Sequence, residues 1–254
     1  IGDTAKLTQN INRFKNNDVW IVTEKLHGTS ARTGFLELEQ KKNWLDKLLS
    51  KFGFERAKKF DHISGTRRTV IGENSAAIVT KEDYRHFFHK QFKDILSPGM
   101  IVYYEIVGPG IMPKHDIQAK SEIQKKYPGN VISYNYGLQP ENYEAYVYKI
   151  VDHAADGRVI VYTWDQLVEW CEKFEVRYVP VIEKLVYNPE SQKPIMEMMF
   201  SYADGSSTLD SSHPREGIVV KTNKGDFKLK GDTFCTLEEI MLNSDQYVDP
   251  EDTV

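Results

Sequence analysis

Cysteine is nearly absent: two in 254 residues, Cys171 and Cys235, far apart and without a Cys-x-x-Cys pair or Cys/His cluster. That excludes a disulfide scaffold, argues against structural zinc, and points to the cytoplasm or another reducing intracellular compartment. Glycine (16) and proline (10) are too sparse for a collagen-like or low-complexity chain. No hydrophobic run reaches membrane-spanning length, and the opening IGDTAKLTQN lacks a basic-then-apolar signal pattern. A soluble protein without a membrane partner is expected. Positive charge is not in surplus, since 33 Lys and Arg face 37 Asp and Glu for a net charge of -4. No global field draws the chain to nucleic acid, so any such site must be a local patch. There is no internal repeat and no Gly/Ser linker that would split the chain.

What is present, 40% hydrophobic and 28% charged residues, describes a globule. NDVWIVTEKL alternates, with Val19, Ile21, Thr23 and Lys25 on one face and Trp20, Val22, Glu24 and Leu26 on the other. It reads as a strand ending at His27-Gly28. Residues 36–60 set Leu45, Leu48, Leu49 and Phe52 beneath seven cations between Lys41 and Lys59, a basic amphipathic insert. Thr80 and Asp83 form a capping box for a helix of about four turns. Tyr84, Phe87, Phe88, Phe92, Ile95 and Leu96 share one face of it, and His86 and His89 read as surface residues. MIVYYEIVG is a strand running into Gly108-Pro109-Gly110, and residues 112–143 read as a long polar connection that includes the basic stretch Lys120 to Lys126.

AYVYKIVD is another strand, Thr163 and Gln166 cap a helix, and RYVPVIEKLVY is extended. GIVVKT and DFKLKGD are strands joined at Asn223-Lys224-Gly225, and a last helix is expected near Thr236. The whole is read as one α+β domain.

Lys25, at the end of an apolar strand, offers its amine at the rim of a sheet, a geometry that suits a nucleophile. Only the free amine attacks, so neighbouring cations, desolvation or a metal must favour that form. In DFKLK, Phe227 and Leu229 point to the core while Lys228 and Lys230 share the other face, where two cations can bind a phosphate. Glu105 in VYYEIVG and Glu216 in REGIVVK each sit at a strand, where a carboxylate can hold Mg²⁺ or a ribose hydroxyl.

Taken in order, EKLHGTS, GTRRT, YYEIVGPGI, YVYKI, REGIVVK and FKLKG resemble the motifs of the covalent nucleotidyltransferase superfamily of polynucleotide ligases and mRNA capping enzymes. The resemblance is closest to ATP-dependent RNA ligases of the RNA ligase 2 type. It implies an α+β nucleotidyltransferase fold with mainly antiparallel sheets flanked by helices: an adenylyltransferase domain over residues 1–242 and an acidic tail over 243–254. It also implies a lysyl-AMP on Lys25 and a nucleotide contact from Arg67, with Arg68 as the competitor. Glu105 would lie near the ribose, Tyr148 would stack on adenine, Glu216 would bind metal with Glu105 as a second ligand, and Lys228 and Lys230 would hold the α-phosphate. Glu24, His27 and Gly28 match the RNA ligase form of motif I and are expected to line the nucleotide site.

Ser30, where Asn is usual, and Lys149, where Asp is common, depart from the pattern. The implied cofactors are ATP and Mg²⁺, with Mn²⁺ as the alternative. The implied partner of the expected monomer is RNA with 5′-phosphate and 3′-hydroxyl ends. A DNA ligase core acting on DNA or hybrid nicks, and a non-catalytic nucleic-acid-binding module of the same fold, are the competing readings.

Overall fold

The computed structural model describes residues 4–38, 58–66, 70–72, 84–154 and 156–238. The basic insert between residues 39 and 57, the Thr80–Asp83 capping box, Arg67, Arg68 and the acidic tail lie outside the described residues.

In chain order the elements are β1 (Ala5–Lys6), α1 (Leu7–Asn10), β2 (Val19–Lys25), β3 (Thr29–Glu37), β4 (Phe60–Thr66), β5 (Val70–Gly72), α2 (Tyr84–Lys93) and β6 (Met100–Val107). There follow β7 (His115–Asp116), α3 (Glu122–Lys126), β8 (Val131–Ile132), β9 (Glu144–His153), β10 (Val159–Val161), α4 (Trp164–Lys173) and β11 (Val181–Val186). The last are α5 (Gln192–Ala203), β12 (Gly217–Thr222), β13 (Gly225–Lys230) and α6 (Asp232–Leu237). They build a five-stranded sheet in the order β1-β13-β12-β2-β11, a six-stranded sheet β10-β9-β6-β3-β4-β5, and the small pair β7-β8. Pairing in the five-stranded sheet is antiparallel except between β1 and β13. The expected α+β class, with mainly antiparallel sheets, is what the chain adopts.

Two compact units interleave along the sequence. One comprises Ile1–Thr29, Glu105–Tyr148 and Thr163–Val254; the other comprises Ser30–Tyr104 and Lys149–Tyr162. In the first unit, the alternation of β2 sends Trp20 and Val22 into a core with Ile218, Val220, Phe227 and Leu229. Trp20 stacks on Tyr187 at 4.8 Å between ring centroids, and Phe14 meets it edge-on at 4.7 Å. Helix α5 closes this core with Ile195, Met199 and Ala203. The sequence reading has no helix there, because the run IMEMMF is nearly continuous in apolar residues and shows no clean stripe. Pro194 falls in its first turn, where a missing N–H costs nothing.

The segment read as a polar loop over 112–143 is corrected by the structure. It folds into β7, α3 and β8, and it buries Ile117, Tyr127, Ile132, Tyr134 and Tyr136 in a second core. Tyrosines count as polar by their hydroxyls yet bury whole rings, which is why composition misled. Lys120 to Lys126 accordingly run into a helix. The Thr163/Gln166 capping box forms as expected at the start of α4. The last helix begins at Asp232 with Gly231 as its cap, a full turn earlier than the Thr236 expected. Among the described residues no helix is long and apolar enough to cross a membrane.

In the second unit, α2 presents Phe88 and Phe92 inward, with Phe92 stacked on Tyr104 at 4.4 Å. Phe87, expected on that face, is 64% exposed, and the helix ends before Ile95. His89 is not a surface residue: it completes the 88-89-92 stripe and is buried, with Nδ1 3.2 Å from Thr33 Oγ1. Thr33 Oγ1 in turn lies 3.0 Å from Tyr104 Oη. Removing one member of such a buried polar set leaves its partners unsatisfied, whereas an exposed histidine has no such role. His89→Ala is therefore expected to lower unfolding stability by roughly 1–3 kcal/mol. His86→Ala should stay within about 0.5 kcal/mol of the parent in the same urea titration.

Candidate active site

β2, β12 and β13 pair in register, so that Gly217 stands between Lys25 on one side and Lys230 on the other. A Cβ on Gly217 would lie 2.1 Å from the Leu229 carbonyl oxygen, so only glycine fits this crossing. Its missing side chain lets the backbone of β13 approach this closely. Glu216, one residue earlier, is completely buried. Its Oε2 lies 2.7 Å from Lys25 Nζ and 3.7 Å from His27 Nδ1, and its Oε1 lies 3.3 Å from Lys230 Nζ. Burial alone pushes this carboxyl up, but Lys25, His27 and Lys230 outweigh burial and hold it well below the usual carboxylate range. Lys228 points to the same face one row along, opposite Val219, and is largely buried.

His27 is fixed on several sides. Its backbone N–H donates to Tyr136 Oη at 2.6 Å, and its ring meets Tyr134 and Phe234 edge-on, each at 4.8 Å. Its Nε2 lies 3.1 Å from Glu238 Oε1, which also lies 2.9 Å from His115 Nε2. Burial by itself would depress His27, yet Glu216 and Glu238 prevail and raise it to about 9. Burial likewise pushes Glu238 up, but His115 and His27 bring it down to about 2. The result is a line of contacts running from Lys25 through Glu216, His27 and Glu238 to His115. Gly28 follows because a Cβ there would strike the Ile106 carbonyl oxygen at 2.2 Å.

Glu24 points away from Lys25, as successive strand residues must. Its buried Oε2 accepts from the Thr208 N–H at 2.8 Å and from the Thr208 hydroxyl at 2.5 Å. The loop that presents Thr208 is tied down by Arg215, whose Nε and Nη2 donate to the Ser206 carbonyl, and by Asp210, which accepts from the Gly137 N–H. Tyr148 is half-buried on β9, and its carbonyl oxygen accepts from Lys221 Nζ at 2.7 Å. Glu105 is half-buried on β6.

Of the residues expected from sequence, Lys25, His27 and Lys230 thus converge on the carboxylate of Glu216, and Lys228 borders them. Glu24 serves the opposite face, Glu105 and Tyr148 stand on strands of the other sheet, and Arg67 lies outside the described residues. Glu238, His115, Tyr136 and Thr208 were not anticipated. Thr208 reaches Glu24 across 184 positions, and no local pattern signals that contact.

A carboxyl depressed in the folded state contributes stability that is present above its unfolded value of 4.5 and is lost as pH falls toward about 2. The stability gap between the parent and Glu238→Gln should therefore be roughly 1–3 kcal/mol at neutral pH. It should shrink below pH 4.5 and close near pH 2, as read by urea unfolding at each pH.

A family model described as RNA ligase matches residues 18–234 of this chain. No curated protein sequence matches it. Among solved structures, the Naegleria gruberi RNA ligase with PPi superposes with a TM-score of 0.60 and 17% identity, over 93% of this chain and 57% of that one. A mutant of that ligase with ATP and Mn gives a TM-score of 0.57 and 16% identity over 94% and 57%, and a mutant with AMP and Mn gives the same values. This chain thus spans little more than half the length of those proteins, and the likeness is one of fold. Because the family model runs through most of the sequence and through every strand that carries the lysine and carboxylate cluster, the chain belongs to the RNA ligase family.

Proposed function

We propose that this chain is the adenylyltransferase core of an ATP-dependent RNA ligase, working through a lysyl-AMP intermediate as a monomer in a reducing intracellular compartment. The observation that carries the reading is the convergence of Lys25 and Lys230 on the buried carboxylate of Glu216, with Lys228 on the same face. A surface salt bridge would be solvated and weak. A fully buried carboxylate flanked by three cations marks a place where charge is handled.

Lys25 is the nucleophile. In its ion pair with Glu216 it is an ammonium without a free electron pair, so the pair must part and Nζ must give up a proton to solvent water before attack. The neutral amine then forms a P–N bond to the α-phosphorus of ATP as the bond to pyrophosphate breaks in line. Lys230 and Lys228 face the equatorial oxygens and stabilise the charge that develops there. His27 stays beside Glu216 when Lys25 leaves, so the carboxylate is not stranded. Tyr148 offers a ring face to adenine and Glu105 a carboxylate to the ribose. The contact from Arg67 or Arg68 is assigned by motif position alone. The adenylate passes next to a 5′-phosphate end, and a 3′-hydroxyl displaces AMP to make the phosphodiester.

The donor set suits a divalent cation of the Mg²⁺ or Mn²⁺ kind. Among the described residues no group of three or more His, Cys, Asp and Glu forms a cage for a metal. Mg²⁺ takes one or two carboxylates and completes its shell with water and substrate phosphate. Glu216, with Glu105 as a second carboxylate, would hold it, and it would supply positive charge to the triphosphate. Both cysteines are free and buried, and burial pushes their thiols up, Cys171 to about 12 and Cys235 to about 11, which makes them poor nucleophiles.

Incubation with α-labelled ATP and Mg²⁺ should attach label to the protein through an acid-labile bond. Lys25→Ala should carry none, and Glu216→Ala should fall by at least about 100-fold. Absence of label in protein free of bound AMP and able to bind ATP would replace the enzyme with a binding module. Sealing of all-RNA nicks in preference to all-DNA nicks is the expected selectivity, and the reverse order would make this a DNA ligase core.

A further inference from the structure

The lysine face of the five-stranded sheet does not end at β13. β1 adds to its outer edge in parallel, with Ala5 in register with Phe227 and Lys6 in register with Lys228. Residues paired across a ladder point to the same side of the sheet. Ala5 packs on the core cluster that contains Phe227, which fixes that side as the apolar one. Lys6 therefore projects with Lys228 onto the face that bears Lys25 and Lys230. It is exposed, and no ion pair is seen for it among the described residues. The row across the sheet reads Thr23, Val219, Lys228, Lys6, with the nucleophile two residues along β2 from Thr23.

The order β2-β12-β13-β1 sets a direction. Neighbouring strands lie about 4.8 Å apart, so β1 stands roughly 14 Å from the strand of the nucleophile, and β13 lies between them. In-line displacement puts the leaving oxygen opposite the attacking nitrogen. With the α-phosphate held between Lys25 and the lysines of β13, the leaving side faces outward toward β1.

We propose that Lys6 is a further phosphate-binding residue of this site, taking the β- and γ-phosphates of ATP and the pyrophosphate that departs. This rests on the nucleotidyl-transfer reading above. A solvated lysine with no carboxylate partner among the described residues can neutralise a polyphosphate, and charge at this position would serve the first step and its reversal alone.

The test compares the parent with Lys6→Ala and Lys6→Arg, both at an exposed position that leaves the core untouched. Expected for Lys6→Ala is a roughly three- to tenfold rise in the ATP KM for self-adenylylation with kcat nearly unchanged. Inorganic pyrophosphate should strip AMP from the adenylylated enzyme with a KM raised by a similar factor. Sealing of a pre-adenylylated RNA strand, which uses no triphosphate, should match the parent, and Lys6→Arg should restore the ATP KM. Unchanged KM values for ATP and pyrophosphate would overturn the proposal. So would a loss confined to sealing of the pre-adenylylated strand, which would assign Lys6 to the polynucleotide backbone. Calorimetric titration with inorganic pyrophosphate reads the same contact without turnover. A parent that binds pyrophosphate more tightly than Lys6→Ala yet never self-adenylylates would sink the enzymatic reading and leave the phosphate site standing.

Discussion

A carboxylate with no exposure to water is untenable alone, and Glu216 is such a group. Ionised groups that far from solvent survive only when paired and hydrogen-bonded, and breaking one partner away strands the rest. Three strands and one strand end are therefore committed to bringing Lys25, Lys230 and His27 to it. Gly217 is the geometric condition, since a side chain on that residue would collide with β13 and part the rows. Redundancy among the cations matters for chemistry. Because His27 and Lys230 also lie beside Glu216, the proposed withdrawal of Lys25 would not leave a bare buried charge.

The fixing of His27 extends this logic outward. Its ring is walled by Tyr134 and Phe234 and its far nitrogen is matched by Glu238, itself matched by His115. Lys25 and His27, the 112–143 segment and the end of α6 are thus joined through Glu216 and Glu238. On the opposite face of β2, Thr208 holds Glu24 in a separate arrangement, so the two consecutive residues 24 and 25 are constrained by independent parts of the chain.

Much of this was legible in the sequence where a short-range period carried it. The alternation in NDVWIVTEKL placed Lys25 opposite Trp20 and Val22, and that in DFKLK separated Phe227 and Leu229 from the two lysines, as the structure has it. Thr163 with Gln166 announced its helix through a local capping pattern. What stayed hidden was of two kinds. His89 and the tyrosines of 112–143 are polar by type and buried by context, because each finds a partner that no neighbour in sequence supplies. Glu238 and Thr208 act on residues about two hundred positions away, and α5 buries an apolar run too dense to show a stripe. Short motifs carried the chemistry, while the supports around them arise only in three dimensions.

The neighbours of β2 give the molecule an order of birth. Its two partners, β11 and β12, begin at Val181 and Gly217, more than 150 residues downstream of the strand they flank. At ribosomal speeds of about 5–20 residues per second, β2 spends on the order of ten seconds or more without either of them. Through that interval Lys25 lacks Glu216, the partner it has in the folded chain. Glu216, Lys228 and Lys230 come from one late stretch of the chain, so the charged cluster around Glu216 is completed only once β12 and β13 have been made.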